Sequence, residues 1–371
     1  MKFRMNNQDL LEGLNTVTRA LSARPAKQIL EGVLIVADDN RVNLTCSDGS
    51  LSIEYTSSAD VQESGQIVLP GRLFSELIRK MPGGDVELTC QNNRSASIRC
   101  QKARSNLATM NAAEYPEIMM LKSPTPVKIP QKKLKDMISH VSFAIATDES
   151  RQILTGCLLE VSRNEARLVA LDGFRLAMQK LFQPFDLPEG QEMMKAILPG
   201  KVINELSRIL PEDDAFCTLL FDQGRMQCTF GNIRMSSVLL AGEYIDYRRI
   251  IPTAFRTHAR ADRGTVSDAI DRASLMAREG KNNLIKMSFR SGSLRITSNA
   301  EMGDVEEEMD ADLQGDDIDI AFNSKYIVDV IRNVEGDELY MNFNSNVSPC
   351  VVMPPSGEEY IYLILPVRVF Q

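Results

Sequence analysis

Apolar positions along the chain repeat one short construction three times: an apolar strand, a break, and a helix with one apolar side. In the first copy, residues 67–69 form the apolar run, Pro70 follows it, and Pro82 closes the segment. Between the two prolines, apolar residues recur at the spacing of one helical face. The pattern predicts a strand and then a helix that buries Leu73, Phe74, Leu77, Ile78 and Met81.

The second and third copies keep the same order at nearly constant distances. Pro199 lies 129 residues after Pro70, and Asn323 lies 124 residues after Pro199. The predicted apolar faces are Val202, Ile203, Leu206 and Leu210 in the second copy and Tyr326, Ile327, Val330, Ile331 and Val334 in the third. A basic residue opens each helix at the same position: Arg72, Lys201 and Lys325. Such self-similarity indicates one structural unit used three times.

Further matches extend the repeat beyond the strand and helix. Asp48-Gly49 corresponds to Asp172-Gly173, and Leu30 to Leu154, each pair 124 residues apart. Each unit is predicted to hold two helices and about eight short strands, which favours an α+β fold with helices packed on antiparallel sheets. The predicted domains are 1–123, 124–252 and 253–371. Residues 123–126 are predicted to be an extended linker, because their prolines forbid a continuing helix or a central strand.

Three units placed alike would present six helices along one surface. An arc of that kind closes only by meeting a second chain head to tail. The repeat therefore favours head-to-tail association with another chain.

Composition restricts the class of protein. The 371 residues are 43% hydrophobic and 25% charged, which is typical of a soluble globular protein. No apolar run approaches the roughly 18–20 residues that span a bilayer, and the first residues contain no apolar signal segment. The seven cysteines include no Cys-x-x-Cys pair, which indicates reduced thiols and excludes a disulfide framework or a zinc site of that type. We expect a cytoplasmic protein with no membrane contact.

The net charge of −8 argues against nucleic-acid binding until its distribution is considered. Ten acidic residues and no basic residue lie between Arg295 and Lys325. Without those ten acids the rest of the chain would carry +2, so a basic surface elsewhere is compatible with the composition.

The sequence contains few residues and no recognised motif that would support catalysis. There are two histidines, His140 and His258, and no dinucleotide, Walker, zinc-protease, nucleophile-elbow or EF-hand motif. The acidic run at 301–319 lacks the alternation of a calcium loop and is predicted to be a solvated face. Asp172-Gly173 is predicted to be a β-turn, because its counterpart Asp48-Gly49 recurs in the first unit. We therefore expect no enzyme activity, cofactor or metal.

The recurrence of Arg72, Lys201 and Lys325 at one repeat position predicts a shared positive surface that would contact phosphates without reading base sequence. The chain has no tryptophan and no pattern of alternating aromatic and basic residues, which disfavours single-strand binding. Two classes of function remain open from the residues: a protein that binds DNA through the shared positive surface, and a repeat-built adaptor that binds proteins without encircling DNA. A hydrolase at the Asp172 turn would lack a nucleophile and base pair.

Several short segments, taken with the threefold repeat, resemble the bacterial DNA polymerase III beta subunit family, the sliding clamps. They are Met1-Lys2-Phe3, Arg24-Pro25, Asp172-Gly173-x-Arg175-Leu176-Ala177, residues 246–252 (DYRRIIP), Phe322-Asn323-x-x-Tyr326 and Leu365-Pro366-Val367-Arg368. The resemblance implies a ring of two chains that encircles double-stranded DNA, with helices lining the hole. It also implies partners, namely the DNA polymerase III alpha subunit, the clamp loader and other proteins that carry the clamp-binding motif.

The family's pocket for short peptide motifs lies between its second and third domains. The matching positions in this chain are Leu154, Leu171, Gly173, Phe174, Arg175, Leu176, Ile245, Ile250, Asn323, Tyr326, Val347, Leu363, Ile364, Leu365, Pro366, Val367 and Arg368. Phe174 and Ile245 depart from residues that are common in the family, so we expect an altered motif preference. We also expect Phe370, in the tail 369–371, to compete for the pocket.

The resemblance also implies surfaces for DNA and for the second chain. The residues expected to face DNA are Arg24, Arg72, Arg79, Lys80, Arg151, Lys201 and Lys325. Asp148 and Glu149 depart from the family pattern in the same region. The residues expected at the dimer seam are Leu107, Leu275, Met276, Glu301, Glu306, Glu307 and Glu308.

Overall fold

The structure is a computed structural model that describes residues 1–92, 94–118, 121–222, 224–280 and 283–368. Six α-helices lie in these ranges: α1 Asn7–Val17, α2 Gly71–Lys80, α3 Gln131–Val141, α4 Gly200–Ile209, α5 Arg263–Glu279 and α6 Ser324–Arg332. Short 3-10 helices at Gln28–Glu31 and Glu149–Thr155 each lead into a strand. No helix in the described ranges is long and apolar enough to cross a membrane.

Twenty-five strands are present in the same ranges. The first nine are β1 Lys2–Asn6, β2 Gly32–Asp38, β3 Arg41–Ser47, β4 Leu51–Ser58, β5 Asp60–Glu63, β6 Gly65–Pro70, β7 Asp85–Thr89, β8 Ser95–Cys100 and β9 Ala103–Ala108. The next eight are β10 Thr125–Pro130, β11 Gly156–Ser162, β12 Glu165–Leu171, β13 Arg175–Phe182, β14 Met193–Pro199, β15 Phe216–Asp222, β16 Arg225–Phe230 and β17 Ile233–Val238. The last eight are β18 Thr257–Asp262, β19 Leu284–Arg290, β20 Gly292–Ala300, β21 Gly303–Gln314, β22 Ile318–Asn323, β23 Glu338–Phe343, β24 Cys350–Val352 and β25 Tyr360–Ile364.

The chain forms two compact units. The first comprises residues 1–132, 186–188 and 208–239, and it holds two antiparallel sheets. One has the strand order β5-β1-β7-β8-β9, and the other has β10-β15-β16-β17-β4-β3-β2-β6. Helix α1 buries Leu10, Leu14 and Val17, and it packs on β4 and α2.

The second unit comprises residues 133–185, 189–207 and 240–371. Its twelve-stranded sheet has the order β14-β11-β12-β13-β25-β24-β23-β18-β21-β20-β19-β22. Helix α5 packs on β20, β21 and α6. Strand β21 carries most of the acidic run, and its alternate residues from Asp304 to Asp312 are exposed, which confirms a solvated acidic face.

The repeated strand–helix construction is confirmed, because β6, β14 and β22 run directly into α2, α4 and α6. One predicted position is wrong, since Leu73 is 54% exposed. Helix α2 instead buries positions 71, 74, 75 and 78, and this stripe leaves position 73 about 100° away from Phe74. The start of the helix is crowded: a Cβ at Gly71 would lie 2.8 Å from Leu21 Cδ1.

The prediction that residues 123–126 are a linker is wrong from Thr125 onward, because Thr125–Pro130 is strand β10. Pro126 lies opposite Leu220 and Pro130 opposite Phe216, in the edge strand of the eight-stranded sheet. An edge strand tolerates proline, since half of its backbone N–H groups face away from the ladder. The last strand, β25, ends at Ile364, two residues before Pro366.

The predicted Asp-Gly turns are confirmed in matching detail. Gly49 has φ +96° and Gly173 has φ +94°, in the left-handed region that favours glycine. Asp48 Oδ1 accepts hydrogen bonds from the amides two and three residues on, both at 2.8 Å, and Asp172 Oδ1 does the same at 2.9 and 3.0 Å. Each carboxylate therefore serves the turn itself. All seven cysteines are buried, and none of them forms a disulfide bond.

Candidate protein-binding groove and cation surfaces

An apolar cluster forms in the second unit, where β12, β13 and β25 pair side by side. Leu171 lies opposite Leu176, and Leu176 lies opposite Leu363 on its other side. Leu154 joins them in one hydrophobic cluster, and these four residues are at most 3% exposed. They form the floor of what we call the apolar groove. Ile364, opposite Arg175, is fully buried beside them.

Exposed apolar side chains surround this floor. Phe174 is 57% exposed, and its ring stacks on Tyr326 with centroids 5.7 Å apart and planes at 19°. The amide of Leu365, which is 36% exposed, donates to the Phe174 carbonyl. Ile245 and Ile250, 38% and 37% exposed, lie two residues before and three residues after Tyr247, which belongs to the cluster. Large exposed apolar side chains grouped in this way mark a surface that binds another molecule.

Arg175 links the turn at Asp172 to helix α6, and its side chain is only 6% exposed. Its Nε lies 3.0 Å from Asp172 Oδ2, and its Nη1 lies 2.5 Å from Asp329 Oδ2 on α6. The guanidinium carbon is also 4.7 Å from the centroid of the Tyr326 ring and 5.4 Å from that of Phe143. Two carboxylates and two rings compensate the buried charge, so Arg175 positions the turn against α6.

Tyr326 and Asn323 also contribute to this local structure. Burial, with the Asp172 carboxylate as a second cause, raises the pKa of Tyr326, which is therefore neutral at physiological pH. Asn323 caps α6, because its Oδ1 accepts a hydrogen bond from the Lys325 amide at 3.0 Å. Asn323 is thus used by the helix.

The remaining predicted groove residues are less closely connected. The amide of Val367 donates to the Ala321 carbonyl, which fixes the segment after β25 to β22, while Pro366 is half-buried and Arg368 exposed. Val347 is 56% exposed, and no described contact ties it to the groove. The tail 369–371, with Phe370, lies outside the described residues. Sequence reasoning missed Phe143 and Asp329, although Asp329 lies one helical turn from Tyr326.

The cations predicted to face DNA are all exposed. Arg24, Arg72, Arg79 and Lys80 belong to the first unit and Arg151, Lys201 and Lys325 to the second. Arg72, Lys201 and Lys325 are each the second residue of a helix, which confirms the shared position. A cation there opposes the positive end of the helix dipole. The same charge nevertheless recurs at this position in three repeat-related helices.

Asp148, which the sequence comparison expects to depart from the family pattern, has a local structural role. It caps the 3-10 helix Glu149–Thr155, because its Oδ1 accepts a hydrogen bond from the Ser150 amide at 2.9 Å. Bonds from the Ser150 amide and hydroxyl lower the pKa of Asp148. The negative charge therefore remains beside Arg151, the next cation in the chain.

The predicted seam residues are at the surface, and three of the four glutamates already have cationic partners. Leu275 is 59% exposed, and Leu107 and Met276 are half-buried. Arg272 binds Glu307 through two hydrogen bonds of 2.5 and 2.8 Å, which lower the pKa of that carboxyl. Arg295 lies 3.4 Å from Glu306 and 3.8 Å from Glu308, while Glu301 is exposed. Leu73 and Met302, 54% and 82% exposed, are further apolar surface residues that sequence reasoning missed.

The described residues contain no group of three His, Cys, Asp or Glu side chains that could hold a metal ion. The described residues instead provide two candidate binding features: the apolar groove, and the exposed cations at the start of three helices.

Comparison with known proteins gives similarity along the whole chain. Models of the DNA polymerase III beta subunit match residues 1–119 (N-terminal domain), 128–246 (central domain) and 248–368 (C-terminal domain). The chain is 35% identical over 381 residues to the beta sliding clamp of Bacillus subtilis (strain 168) and 33% identical over 380 residues to that of Staphylococcus aureus (strain Mu50). In both cases 100% of this chain and of the relative is covered.

Among solved structures, the crystal structure of the DNA polymerase sliding clamp from Bacillus subtilis matches with a TM-score of 0.95 at 35% identity, over 100% of both chains. The similarity therefore includes all three copies of the repeat.

Proposed function

We propose that this chain, which belongs to the DNA polymerase III beta subunit family, is a sliding clamp that encircles duplex DNA and tethers the replicative polymerase. The observation that carries this proposal is the exposed cation at the second residue of three repeat-related helices, α2, α4 and α6. Three equivalent charges in one chain suit a duplex whose phosphates recur regularly and which is held without reading its sequence.

The mechanism is topological and needs no catalysis. A closed ring remains on DNA without tight phosphate binding, which agrees with a net charge of −8. The helix-borne cations centre the duplex, and acidic strands such as β21 oppose nonspecific adhesion of the outer surface. The protein is accordingly a non-enzymatic processivity factor of the bacterial cytoplasm, without a cofactor. Its domains are 1–123, 124–252 and 253–371.

The ring is a head-to-tail homodimer in this proposal. Leu107 of one chain meets Leu275 and Met276 of the next, where exposed apolar surface supplies the association energy. Glu301, Glu306, Glu307 and Glu308 stay near the edge of that contact, with Glu307 oriented by Arg272.

The apolar groove is the attachment point for other proteins. Its buried leucine floor with the exposed Phe174 and Leu365 at the rim suits a short peptide with apolar anchor side chains, and such anchors carry most of the affinity in grooves of this kind. The partners are the DNA polymerase III alpha subunit, the clamp loader and other clamp-motif proteins. Phe370 of the tail competes with them.

Negative-stain microscopy of the purified protein, with no partner added, tests the ring. We expect closed six-lobed rings with a hole wide enough for a B-form duplex. Three-lobed crescents that also fail to stay on circular DNA would favour the adaptor alternative. Retention is read by gel filtration after loading: rings should stay on a nicked circle and leave once the circle is linearised, whereas an adaptor would not respond to linearisation.

A further inference from the structure

The repeat places a second copy of the apolar-groove framework in the first unit, with serines in place of apolar residues. Strand β17 pairs with β4 as β25 pairs with β13, so that Ser236 lies opposite Ser52 where Leu363 lies opposite Leu176. The groove residues and their counterparts are Leu171 and Ser47, Phe174 and Ser50, Leu176 and Ser52, Leu363 and Ser236, and Ile364 and Ser237. The strand pairing is kept, while the chemistry changes from apolar to hydroxyl.

A cavity of about 110 Å³ lies among these serines. We call it the hydroxyl pocket, and all of its lining residues belong to the first unit. A water molecule takes about 30 Å³ of liquid volume, so the cavity has room for a group of several heavy atoms. Ile118, Leu121 and Val238 give it an apolar wall, and its charged lining residues are Arg225 and Glu117.

Some of the hydroxyls in this pocket are already paired. Ser52 Oγ donates to Ser47 Oγ at 2.8 Å, and Ser47 Oγ donates in turn to a backbone carbonyl at 3.1 Å. Ser236 Oγ instead accepts a hydrogen bond from Gln227 at 3.2 Å, and no described residue accepts one from the hydroxyl of Ser236 or of the exposed Ser50. Two hydroxyl donors that line the cavity therefore lack an acceptor within the described ranges.

Arg225 is the cation of the pocket, and it is half-buried. Its neighbour across the strand pair is Asp222, but the Asp222 carboxylate accepts hydrogen bonds from the amides of Lys122 and Ser123 at 2.7 and 3.2 Å. The Arg225 side chain makes no ion pair or hydrogen bond with the described part of the chain. Glu117 is exposed, so solvent and salt screen its charge. The guanidinium therefore keeps its N–H donors available to a group in the cavity.

The available groups are all donors, which selects an acceptor-rich ligand. A guanidinium binds a planar carboxylate through two parallel N–H bonds, and such charge-assisted bonds are stronger than neutral ones. A phosphate dianion suits the pocket less well, because Arg225 is its one cation among the described lining residues and Glu117 adds a negative charge. The apolar wall also favours a carboxylate that is carried on methylene groups.

We propose that the hydroxyl pocket binds the carboxylate of an acidic side chain from a partner protein. Arg225 forms the ion pair, and the hydroxyls of Ser50 and Ser236 donate to the same carboxylate. The methylene groups of the ligand lie along Ile118 and Val238. The chain thus has two peptide-binding surfaces on equivalent frameworks, one that takes apolar anchors and one that takes an acidic anchor.

The test is methyl NMR of the full-length protein, labelled at isoleucine, leucine and valine methyls and titrated with sodium succinamate at constant ionic strength. We expect saturable shifts at Ile118 and Val238, and an affinity about tenfold weaker or more in Arg225→Gln. Arg41→Gln is the matched control, since Arg41 is an exposed arginine of the same sheet that does not line the pocket. Absence of saturable shifts, or equal affinity in Arg225→Gln, would overturn the proposal.

Two further probes test the class of ligand. Succinamide, in which an uncharged amide replaces the carboxylate, should cause no saturable shifts at the same methyls. Inorganic phosphate should bind more weakly than succinamate. Succinamide binding as tight as that of succinamate would remove the need for a charge, and tighter phosphate binding would assign the pocket to a phosphate group. Either result would overturn the carboxylate assignment.

Melting temperatures separate binding from folding. Because the Arg225 side chain has no described partner, Arg225→Gln should leave the melting temperature unchanged. A lower melting temperature together with lost shifts would assign Arg225 to the fold and overturn the proposal. The double variant Ser50→Ala and Ser236→Ala should also weaken succinamate binding without changing the melting temperature, and unchanged affinity would remove these hydroxyls from the site. These readouts are independent of ring closure and DNA retention.

Discussion

Reversing the three helix-start cations should move stability and DNA binding in opposite directions. In the variant Arg72→Glu, Lys201→Glu and Lys325→Glu, each new carboxylate lies in the first turn of a helix, where the dipole favours negative charge. Removing an opposed cation and adding a favoured anion is worth about 0.5–2 kcal/mol per helix at low salt. The gain should be larger at α2 than at α6, because the N-cap residue of α2 is Pro70, which makes no side-chain capping bond, whereas Asn323 caps α6.

The same variant loses phosphate contacts. A ring of two chains presents six of these cations, and each phosphate contact contributes about 0.9 to the slope of log K against log salt. We therefore expect the slope to fall by up to about 5 in fluorescence anisotropy of a labelled duplex, while the melting temperature rises. The matched control is Lys102→Glu, Arg163→Glu and Arg256→Glu, which reverses three exposed cations outside helices.

Either of two results would refute this reasoning. A fall in melting temperature would mean that the cations support the helices after all. A salt slope no lower than that of the control variant would mean that overall charge, and not the helix-start position, governs DNA binding.

Three further predictions follow from individual contacts. Arg175→Met leaves Asp172 and Asp329 partly buried without their cation. Hydrogen exchange of the Phe174 and Leu365 amides should therefore accelerate about 100-fold, equivalent to roughly 3 kcal/mol. The control Arg260→Met, which removes an exposed ion pair, should change these exchange rates little. Leu275→Asp should convert the dimer to folded monomers in analytical ultracentrifugation, and unaltered sedimentation would remove Leu275 from the seam. Because Arg272 lowers the pKa of Glu307 below its ordinary 4.5, the stability from this pair is present above pH 4.5 and is lost as pH falls through the folded-state pKa. The melting temperatures of wild type and Arg272→Gln should therefore converge only below that pH, and convergence at neutral pH would contradict the assignment.

Local signals in the sequence predicted the features that depend on local chemistry. The Asp-Gly turns at 48–49 and 172–173 need only a carboxylate that accepts neighbouring amides and a glycine at positive φ. The shared position of Arg72, Lys201 and Lys325 needs only the helix start. The turns and the helix-start cations each depend on only a few neighbouring residues, so the sequence repeat was enough to predict them.

Features that depend on distant partners were missed or wrong. Arg175 is compensated by Asp329, which lies 154 residues away in the chain, and no periodicity points to that pair. Strand β10 forms because it pairs with β15. Its prolines are compatible with a strand only at the edge of a sheet, and the sequence alone does not reveal that edge position. Leu73 and Phe74 were equally good candidates for the buried face of a short helix, and the packing of α2 decided between them.

The repeat gives this chain an internal control for separating fold from function. Where two copies agree and the fold requires agreement, as at Gly49 and Gly173, the residue serves the backbone. Where copies agree at exposed positions, as with the cations at helix starts, the agreement supports the proposed contact with DNA phosphates. Where copies share geometry but differ in chemistry, as at Glu54 and Met178, the cross-strand partner differs as well: Arg234 lies opposite Glu54, and Ile361 lies opposite Met178. The buried charge of Arg175 is compensated by Asp172 of its own copy and by Asp329 of the third copy, and Arg175 thereby positions the groove.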